Sequence, residues 1–136
     1  MQRYILYSFI LLVGLFAAFA YQRSVSATEE LPQVTHGPIS GEVSASSITL
    51  WARGDRNGIL TFVVSAADTP TETIASAEVA IDEAGDFIGE VRIEDLTPST
   101  EYVFTVTLTA DGKTSSPLEG RFRTAPTAET KTGFDF

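Results

Sequence analysis

The amino-acid sequence predicts an all-β fold, an antiparallel β-sandwich of about seven strands, preceded by an N-terminal hydrophobic helix. After residue 27, short segments rich in β-branched and aromatic residues alternate with turn signals at intervals of roughly 8 to 12 residues. No segment of that region shows the 3.6-residue period that indicates a helix. A small β-barrel is the structural alternative, because it has the same pattern of short strands.

The N-terminal segment has the features of an export signal. Residues 4–21 contain no charged side chain, and Val25, Ser26 and Ala27 then supply a small-residue pattern for cleavage after Ala27. We therefore interpret residues 1–27 as a signal peptide and expect an exported protein, which is periplasmic, extracellular or anchored to the outer face of the membrane. The alternative is an uncleaved membrane anchor, because about 18 apolar residues is near the minimum that crosses a bilayer. A membrane is then a partner only through residues 4–21.

Composition excludes several classes of function. The 136 residues allow one ordinary domain, and they include no cysteine and a single histidine, His36. Disulfides, thiolate zinc sites, cysteine nucleophiles and multi-histidine metal centres are therefore excluded. The formal net charge of −9 argues against nucleic acid as a partner, because phosphate binding needs clustered positive charge.

The first strands are predicted around a turn-rich stretch. An extended lead-in at 31–36 and a turn at 37–41 precede a short edge strand predicted at 42–44. The next strand covers 46–53, where regular alternation places Ile48 and Leu50 on one face. Trp51 then lies on the other face unless a β-bulge re-phases the strand. The sequence alone favours a core Trp51, and the alternative is a Trp51 that docks another domain.

Five further strands follow, each bounded by turn residues. They are predicted at 59–65, 75–81, 87–93, 101–109 and 118–124. The nearly continuous apolar run at 59–65 predicts a strand buried on both faces. Asn57-Gly58 and Asp111-Gly112 are strong signals for tight turns.

Two of these strands alternate clearly between apolar and other residues. In 87–93 the predicted inner face carries Phe87, Gly89, Val91 and Ile93. In 101–109 it carries Tyr102, Phe104, Val106 and Leu108.

One motif narrows the fold. The stretch from Leu96 to Tyr102 reads LTPSTEY and resembles the Leu-x-Pro-x-Thr-x-Tyr signature of fibronectin type III domains. In such a tyrosine corner, Leu96 would fill the core, Pro98 would set the bend, and the Tyr102 hydroxyl would bind backbone upstream while its ring packs inward. The motif therefore indicates a fibronectin type III or immunoglobulin-like sandwich.

Three stretches together resemble one family. Residues 35–43 contain His36-Gly37, residues 46–53 contain Leu-Trp-Ala-Arg, and the LTPSTEY motif is followed by Arg-Thr-Ala-Pro at 123–126. This order resembles the N-terminal domain of alkaline phosphatase D (PhoD-like) proteins, which typically opens with His-Gly-x-x-Ser-Gly, continues with Leu-Trp-x-Arg and ends in Arg-Thr-x-Pro. The resemblance covers roughly Val34 to Pro126.

The resemblance implies a division of labour between domains. In that family a fibronectin-like domain, here residues 28–126, precedes a metallophosphatase domain. Residues 127–136 would be a linker and the start of that catalytic domain, which is missing here. The family's metal ions and their ligands belong to the catalytic domain. We therefore expect no catalytic, cofactor-binding or metal-binding residue in this chain, and no enzymatic activity of its own.

The remaining candidate residues point to contacts between domains. His36, Trp51 and Arg53 lie in the family motifs and are candidate interdomain contacts. A single imidazole forms neither a catalytic triad nor a metal site, which favours a structural or interface role for His36. The carboxylates at 82, 83 and 86 are interpreted as a solvated turn, with calcium as the alternative ligand.

Two functions follow from these observations. The first is a noncatalytic accessory domain of an exported PhoD-like alkaline phosphatase or phosphodiesterase, which orients or shields the active site of the metallophosphatase domain. The alternative is a standalone extracytoplasmic fibronectin-like module for adhesion or ligand binding.

Overall fold

The computed structural model describes residues 30–128, so the predicted signal or anchor helix and most of the linker lie outside the described residues. Eight strands form the domain: β1 (Val34–Gly41), β2 (Ile48–Gly54), β3 (Gly58–Ala66), β4 (Thr73–Ile81), β5 (Ile88–Ile93), β6 (Glu101–Ala110), β7 (Lys113–Thr114) and β8 (Leu118–Arg123). Within this part of the chain, no helix has the length and apolarity needed to cross a bilayer.

The strands form two antiparallel sheets. One sheet has the order β1-β2-β5, and the other has the order β4-β3-β6, with β7 and β8 both paired to the far side of β6. Two separate sheets with a shared core confirm the predicted sandwich rather than a closed barrel.

The core is built by alternate residues of the central strands. Ile48, Leu50 and Ala52 on β2 are fully buried, as are Leu60, Phe62 and Val64 on β3. The predicted inner face of β6 is confirmed, because its four alternate apolar residues are all buried. Phe122 of β8 is also buried and stacks on Tyr102, with the two ring centroids 5.2 Å apart.

The first strand lies earlier than predicted. β1 spans Val34–Gly41, and residues 42–44 form the bend that follows it. Two register shifts between Val34 and Ile39 let the strand pair with β2 across the Gly-Pro step. Glu42 then adopts a positive φ of 47°, which ends the strand. The turn-like composition at 37–41 therefore marks an irregular edge strand rather than a loop.

Strand β3 is buried along one face, whereas only Ser65 is buried on the other, so the predicted burial of both faces is wrong. Ile59 is 44% exposed and Val63 is half-buried, whereas the residues between them that face the other sheet are buried. The outward face of β3 belongs to the outer surface of its sheet, and hydrophobic composition alone does not distinguish that surface from the core.

The two predicted tight turns have different outcomes. Asp111 and Gly112 have φ values of 51° and 74° and connect β6 to β7, as expected for a type I′ hairpin. The Asn57-Gly58 pair forms no hairpin, because β2 and β3 belong to different sheets and residues 55–57 cross between them.

The described residues form eight strands where the sequence predicts about seven. The additional strand is the short β7, which precedes β8 and pairs with the same strand, β6. The register with β6 changes by one residue between β7 and β8. Ser115 bridges the interruption, because its Oγ accepts a hydrogen bond from the backbone N–H of Leu108 at 2.9 Å.

Gly120 is required by the packing of Phe104. The two residues lie opposite each other in the β6–β8 pair, and a Cβ at position 120 would overlap the buried Phe104 ring. We expect Gly120→Ala to lower the free energy of unfolding by about 1–3 kcal/mol through overpacking. Urea denaturation measures this loss. The control is Gly41→Ala, where a Cβ meets nothing within 4 Å; equal stability of the two variants would contradict the packing argument.

Asp55 fastens the N-terminal lead-in to the turn after β2. Its carboxylate accepts hydrogen bonds from Arg56 Nη2 at 2.8 Å and from the backbone N–H of Gln33 at 3.1 Å. The hydrogen bond from the Arg56 side chain holds the pKa of Asp55 below its ordinary value, against the opposing effect of burial.

This lowered pKa predicts a dependence of stability on pH. Because the folded protein binds the Asp55 proton less readily than the unfolded chain, the stabilisation is complete above about pH 4 and is lost as the pH falls further. We expect the stability difference between wild type and Asp55→Asn, measured by urea denaturation from neutral to acid pH, to shrink in that range. A pH-independent difference, or the same profile in the exposed-site control Asp68→Asn, would contradict this assignment.

Candidate docking face around Trp51

Trp51 lies on the outer face of the three-stranded sheet. Strand β2 pairs with β5 in unbroken register from Ile48 to Arg53, so no bulge re-phases it. Because Leu50 and Ala52 point into the core, Trp51 points away from it and is half-buried. The interpretation of Trp51 as a core residue is therefore wrong, and the outward alternative describes its position.

The residues directly opposite Trp51 are Ile39 on β1 and Glu90 on β5. Directly opposed residues share a face of a sheet, so these side chains flank the indole ring. In the next row, His36 and Ile88 lie opposite Arg53.

We call this surface the Trp51 face, and it comprises His36, Ile39, Trp51, Arg53, Ile88 and Glu90. Its two isoleucines are 44% and 46% exposed, which gives the face an apolar centre. The structure thus brings the three candidate contact residues, His36, Trp51 and Arg53, together. The remaining three members were not singled out from the sequence, although the period-two alternation of 87–93 places Ile88 and Glu90 on its outer side.

Arg53 is engaged within the domain. Its Nη2 lies 2.6 Å from Asp86 Oδ1, and its Nε donates a hydrogen bond to the Asp86 carbonyl oxygen at 3.0 Å. Asp86 and Phe87 both have positive φ values, 55° and 57°. Arg53 therefore holds a left-handed turn at one end of the face and forms part of the rim. His36 beside it is exposed, with Nδ1 3.1 Å from Thr35 Oγ1.

A polar network forms the opposite end of the face. Arg92 donates hydrogen bonds to Ser47 Oγ at 2.8 Å and to Glu94 Oε1 at 3.1 Å. Glu42 accepts a hydrogen bond from Thr49 Oγ1 at 3.2 Å. Ser47 Oγ in turn lies 2.7 Å from Ser44 Oγ. The rim at this end is therefore continuous with the β1–β2 loop.

The tyrosine-corner residues lie where β5 connects to β6. Leu96 and Tyr102 are buried, Pro98 is half-buried, and the Tyr102 Oη accepts a hydrogen bond from the backbone N–H of Thr97 at 2.9 Å. This bond ties the hydroxyl to backbone five residues upstream.

The chain leaves the sandwich through a segment fastened at this corner. Thr124 is 2% exposed, and its Oγ1 donates to the Thr97 carbonyl at 2.6 Å and accepts from the Thr100 N–H at 3.0 Å. The next residue, Ala125, donates its N–H to the Ser44 carbonyl at 3.0 Å. We call residues 123–126 the exit segment.

No metal site is evident between residues 30 and 128, because no group of three or more histidine or carboxylate side chains is arranged to hold an ion there. In the acidic turn, Asp82 Oδ1 instead accepts a hydrogen bond from the backbone N–H of Gly85 at 2.9 Å. Asp86 faces Arg53, so these two carboxylates are used in shaping the turn.

A concave surface lies on the outer face of the other sheet. It is a groove of about 550 Å³ across β3, β6 and β8. Its floor carries small and β-branched side chains, among them Val63, Ser65, Val103 and Thr105, and Arg121 lies on its rim.

The hydroxyl of Thr124 is expected to stabilise the domain through its buried hydrogen bonds. In Thr124→Val the side-chain shape is kept while the Thr97 carbonyl and the Thr100 N–H lose their partner, which costs about 1–3 kcal/mol. The shift of the urea midpoint measures this loss. The matched control is Thr105→Val at a half-buried site on β6; a Thr124 variant as stable as this control would contradict the role of the hydroxyl.

Comparison with known proteins places the chain in a family. Residues 19–126 match the family model described as PhoD-like phosphatase, N-terminal domain. A structure of PhoD is similar with a TM-score of 0.54 and 15% identity, over 65% of this chain and 18% of that one. The chain thus spans less than a fifth of the length of that PhoD structure. A search of curated proteins finds no match.

Two further structures share the fold across nearly their whole length. The sensor domain of the anti-sigma factor RsgI4 from Pseudobacteroides cellulosolvens has a TM-score of 0.53 and 19% identity, over 74% of this chain and 100% of that one. An FN3 domain of human collagen XX has a TM-score of 0.53 and 22% identity, over 74% of this chain and 99% of that one. These similarities support the predicted fibronectin type III-like class.

The family match confirms the resemblance indicated by the three sequence motifs. It covers most of the chain and ends at Pro126, the last residue of the exit segment. The chain belongs to the family of PhoD-like phosphatase N-terminal domains.

Proposed function

We propose that this chain is the noncatalytic accessory domain of an exported PhoD-like alkaline phosphatase or phosphodiesterase. In this proposal a metallophosphatase domain follows the exit segment, and the accessory domain orients or shields the active site of that following domain. The observation that carries the proposal is the coincidence of two boundaries. The family model ends at Pro126, and the structured backbone is fastened to the sandwich immediately before that residue.

The exit segment supports an orienting role. Backbone hydrogen bonds tie Ala125 to Ser44 on one side and to Ser99 on the other, at 3.0 and 3.2 Å. Thr124 adds the buried hydroxyl contacts to the corner. The chain therefore leaves the sandwich from a fixed position and direction, and a following domain is separated from that point only by the short linker, which restricts its orientation.

The chemistry of the described residues supports a noncatalytic role for this domain. His36 is exposed, and its nearest polar partner is the neighbouring Thr35 hydroxyl. A single exposed imidazole beside one hydroxyl forms neither a catalytic triad nor a metal site by itself. Metal-dependent phosphoester hydrolysis is then the task of the following domain, and the metal ions are bound there.

The proposal also includes export of the protein from the cytoplasm. The apolar segment at 4–21 and the small residues before Ala27 support secretion, with cleavage as the favoured outcome and membrane anchoring as the alternative. The net charge of −9 supports partners other than nucleic acid.

A standalone module for adhesion or ligand binding is the second candidate. The groove on β3, β6 and β8 is the observation that favours it, since a concave surface of about 550 Å³ has the size of a small-ligand site. Its one aromatic lining residue, Phe104, is buried in the core, and its charged lining residues, Glu119 and Arg121, are exposed on β8, which makes the groove the weaker candidate for a site.

A comparison of two samples tests the proposal. The first is the 136-residue chain alone, and the second is the protein purified from its host with an antibody against this domain. Both are assayed with mono- and bis-p-nitrophenyl phosphate in the presence of Ca²⁺, Fe³⁺, Mn²⁺ or Zn²⁺. We expect turnover only by the host protein.

Two results would contradict the proposal. Metal-dependent turnover by the 136-residue chain would show that the domain itself is catalytic. A host protein that is inactive and no larger than this chain would favour the standalone module instead.

A further inference from the structure

We infer that the Trp51 face is the surface on which the following metallophosphatase domain docks, through an apolar pocket that receives Trp51 and a cationic side chain placed opposite Glu90. This inference rests on the proposed function and adds the surface and the chemistry of its partner. It follows from the composition of the face, its unpaired charge and its connection to the exit segment.

The composition of the face is that of an interface. Trp51 lies at the centre with Ile39 and Ile88 exposed beside it, and charged side chains surround this apolar group. An aromatic anchor within a polar rim is the arrangement that concentrates binding energy in protein–protein contacts. In the groove on the opposite sheet the one aromatic lining residue, Phe104, is buried in the core and cannot serve as such an anchor.

The charged residues at the rim of the Trp51 face indicate which charge the partner surface carries. Both arginines of this sheet surface are already paired, Arg53 with Asp86 and Arg92 with Glu94. Glu90 lies directly opposite Trp51, is exposed, and has no ion pair within residues 30–128. A partner that covers Trp51 also covers Glu90, and burying this carboxylate without a cation is unfavourable. The complementary surface therefore carries an arginine or lysine beside its apolar pocket.

The exit segment is connected to the end of the Trp51 face that lies beside Arg92. Ala125 is bound to Ser44, and Ser44 is connected through Ser47 to Arg92 on the outer face of the sheet. From Ala128, the six residue steps to Phe134 span at most about 22 Å when extended. A domain whose first strand begins at Phe134 therefore starts within about 22 Å of Ala128, three residues after the hydrogen bond between Ala125 and Ser44.

Hydroxyl-radical footprinting tests this inference on the protein as its host makes it, with the 136-residue chain as the reference. Mass spectrometry of peptides reports labelling at Trp51, and Ile59 and Ile74 on the other sheet, which are 44% and 47% exposed, are internal controls. We expect loss of Trp51 labelling in the host protein and equal labelling of the two controls. Equal labelling of Trp51 in both samples, or protection confined to the groove at Val63 and Val103, overturns the inference.

A pair of charge reversals tests the predicted cation. Glu90→Arg in the host protein should restore Trp51 labelling to that of the reference chain, because it places like charges in the interface. Glu119→Arg, an exposed site on β8 of the other sheet, should leave Trp51 protected. Protection that survives Glu90→Arg overturns the assignment of a cationic partner surface.

Phosphatase activity measured in the same samples separates the two proposals. An active host protein with unprotected Trp51 overturns the docking face and leaves the accessory function in place. Protection of Trp51 without phosphatase activity overturns the proposed function and assigns the face to a partner of another kind.

Discussion

The surface of this domain depends on the two-residue period of strand β2. Ile48, Leu50 and Ala52 fill the core without remaining exposure, and β5 pairs with the strand in continuous register. A shift of one residue would place all three in solvent. The same constraint holds Trp51 outside the core, between Ile39 and Glu90. Burying Trp51 within this domain would therefore require breaking the register that builds the core. A half-buried aromatic that faces outward among exposed isoleucines is expected to contribute to binding rather than to folding of the domain.

A second set of contacts relates this surface to the rest of the polypeptide. Thr124 and Ala125 tie the end of β8 to the tyrosine corner and to the β1–β2 loop. That loop carries Ser47, which accepts a hydrogen bond from Arg92 at the edge of the Trp51 face. Hydrogen bonds thus connect the chain exit, the β1–β2 loop and the edge of the outer face. These contacts are the ones that support the proposed orienting role.

Much of the fold followed from period-two alternation and turn chemistry. The inner faces of β5 and β6 and the turn at Asp111-Gly112 were predictable, because each depends on residues adjacent in sequence. Strand β1 differs from its predicted position because its pairing across Gly37 and Pro38 depends on bulges and on a partner strand that composition does not reveal. Two features of the sequence give opposite predictions for Trp51. Its hydrophobicity favours the core, whereas the regular alternation of strand β2 indicates the surface, where the side chain lies. Ile39, Ile88 and Glu90 joined the candidate site only through cross-strand register, which needs the sheet order.

The outward position of Trp51 is the claim on which this account depends, and the chain offers a direct probe of it because Trp51 is its only tryptophan. The measurement is the fluorescence emission of the folded 136-residue chain, with acrylamide as the quencher. We expect red-shifted emission that acrylamide quenches efficiently in the folded state, as for an outward-facing indole in contact with water. Blue-shifted emission that resists quenching until the chain unfolds would place Trp51 in the core and contradict the account.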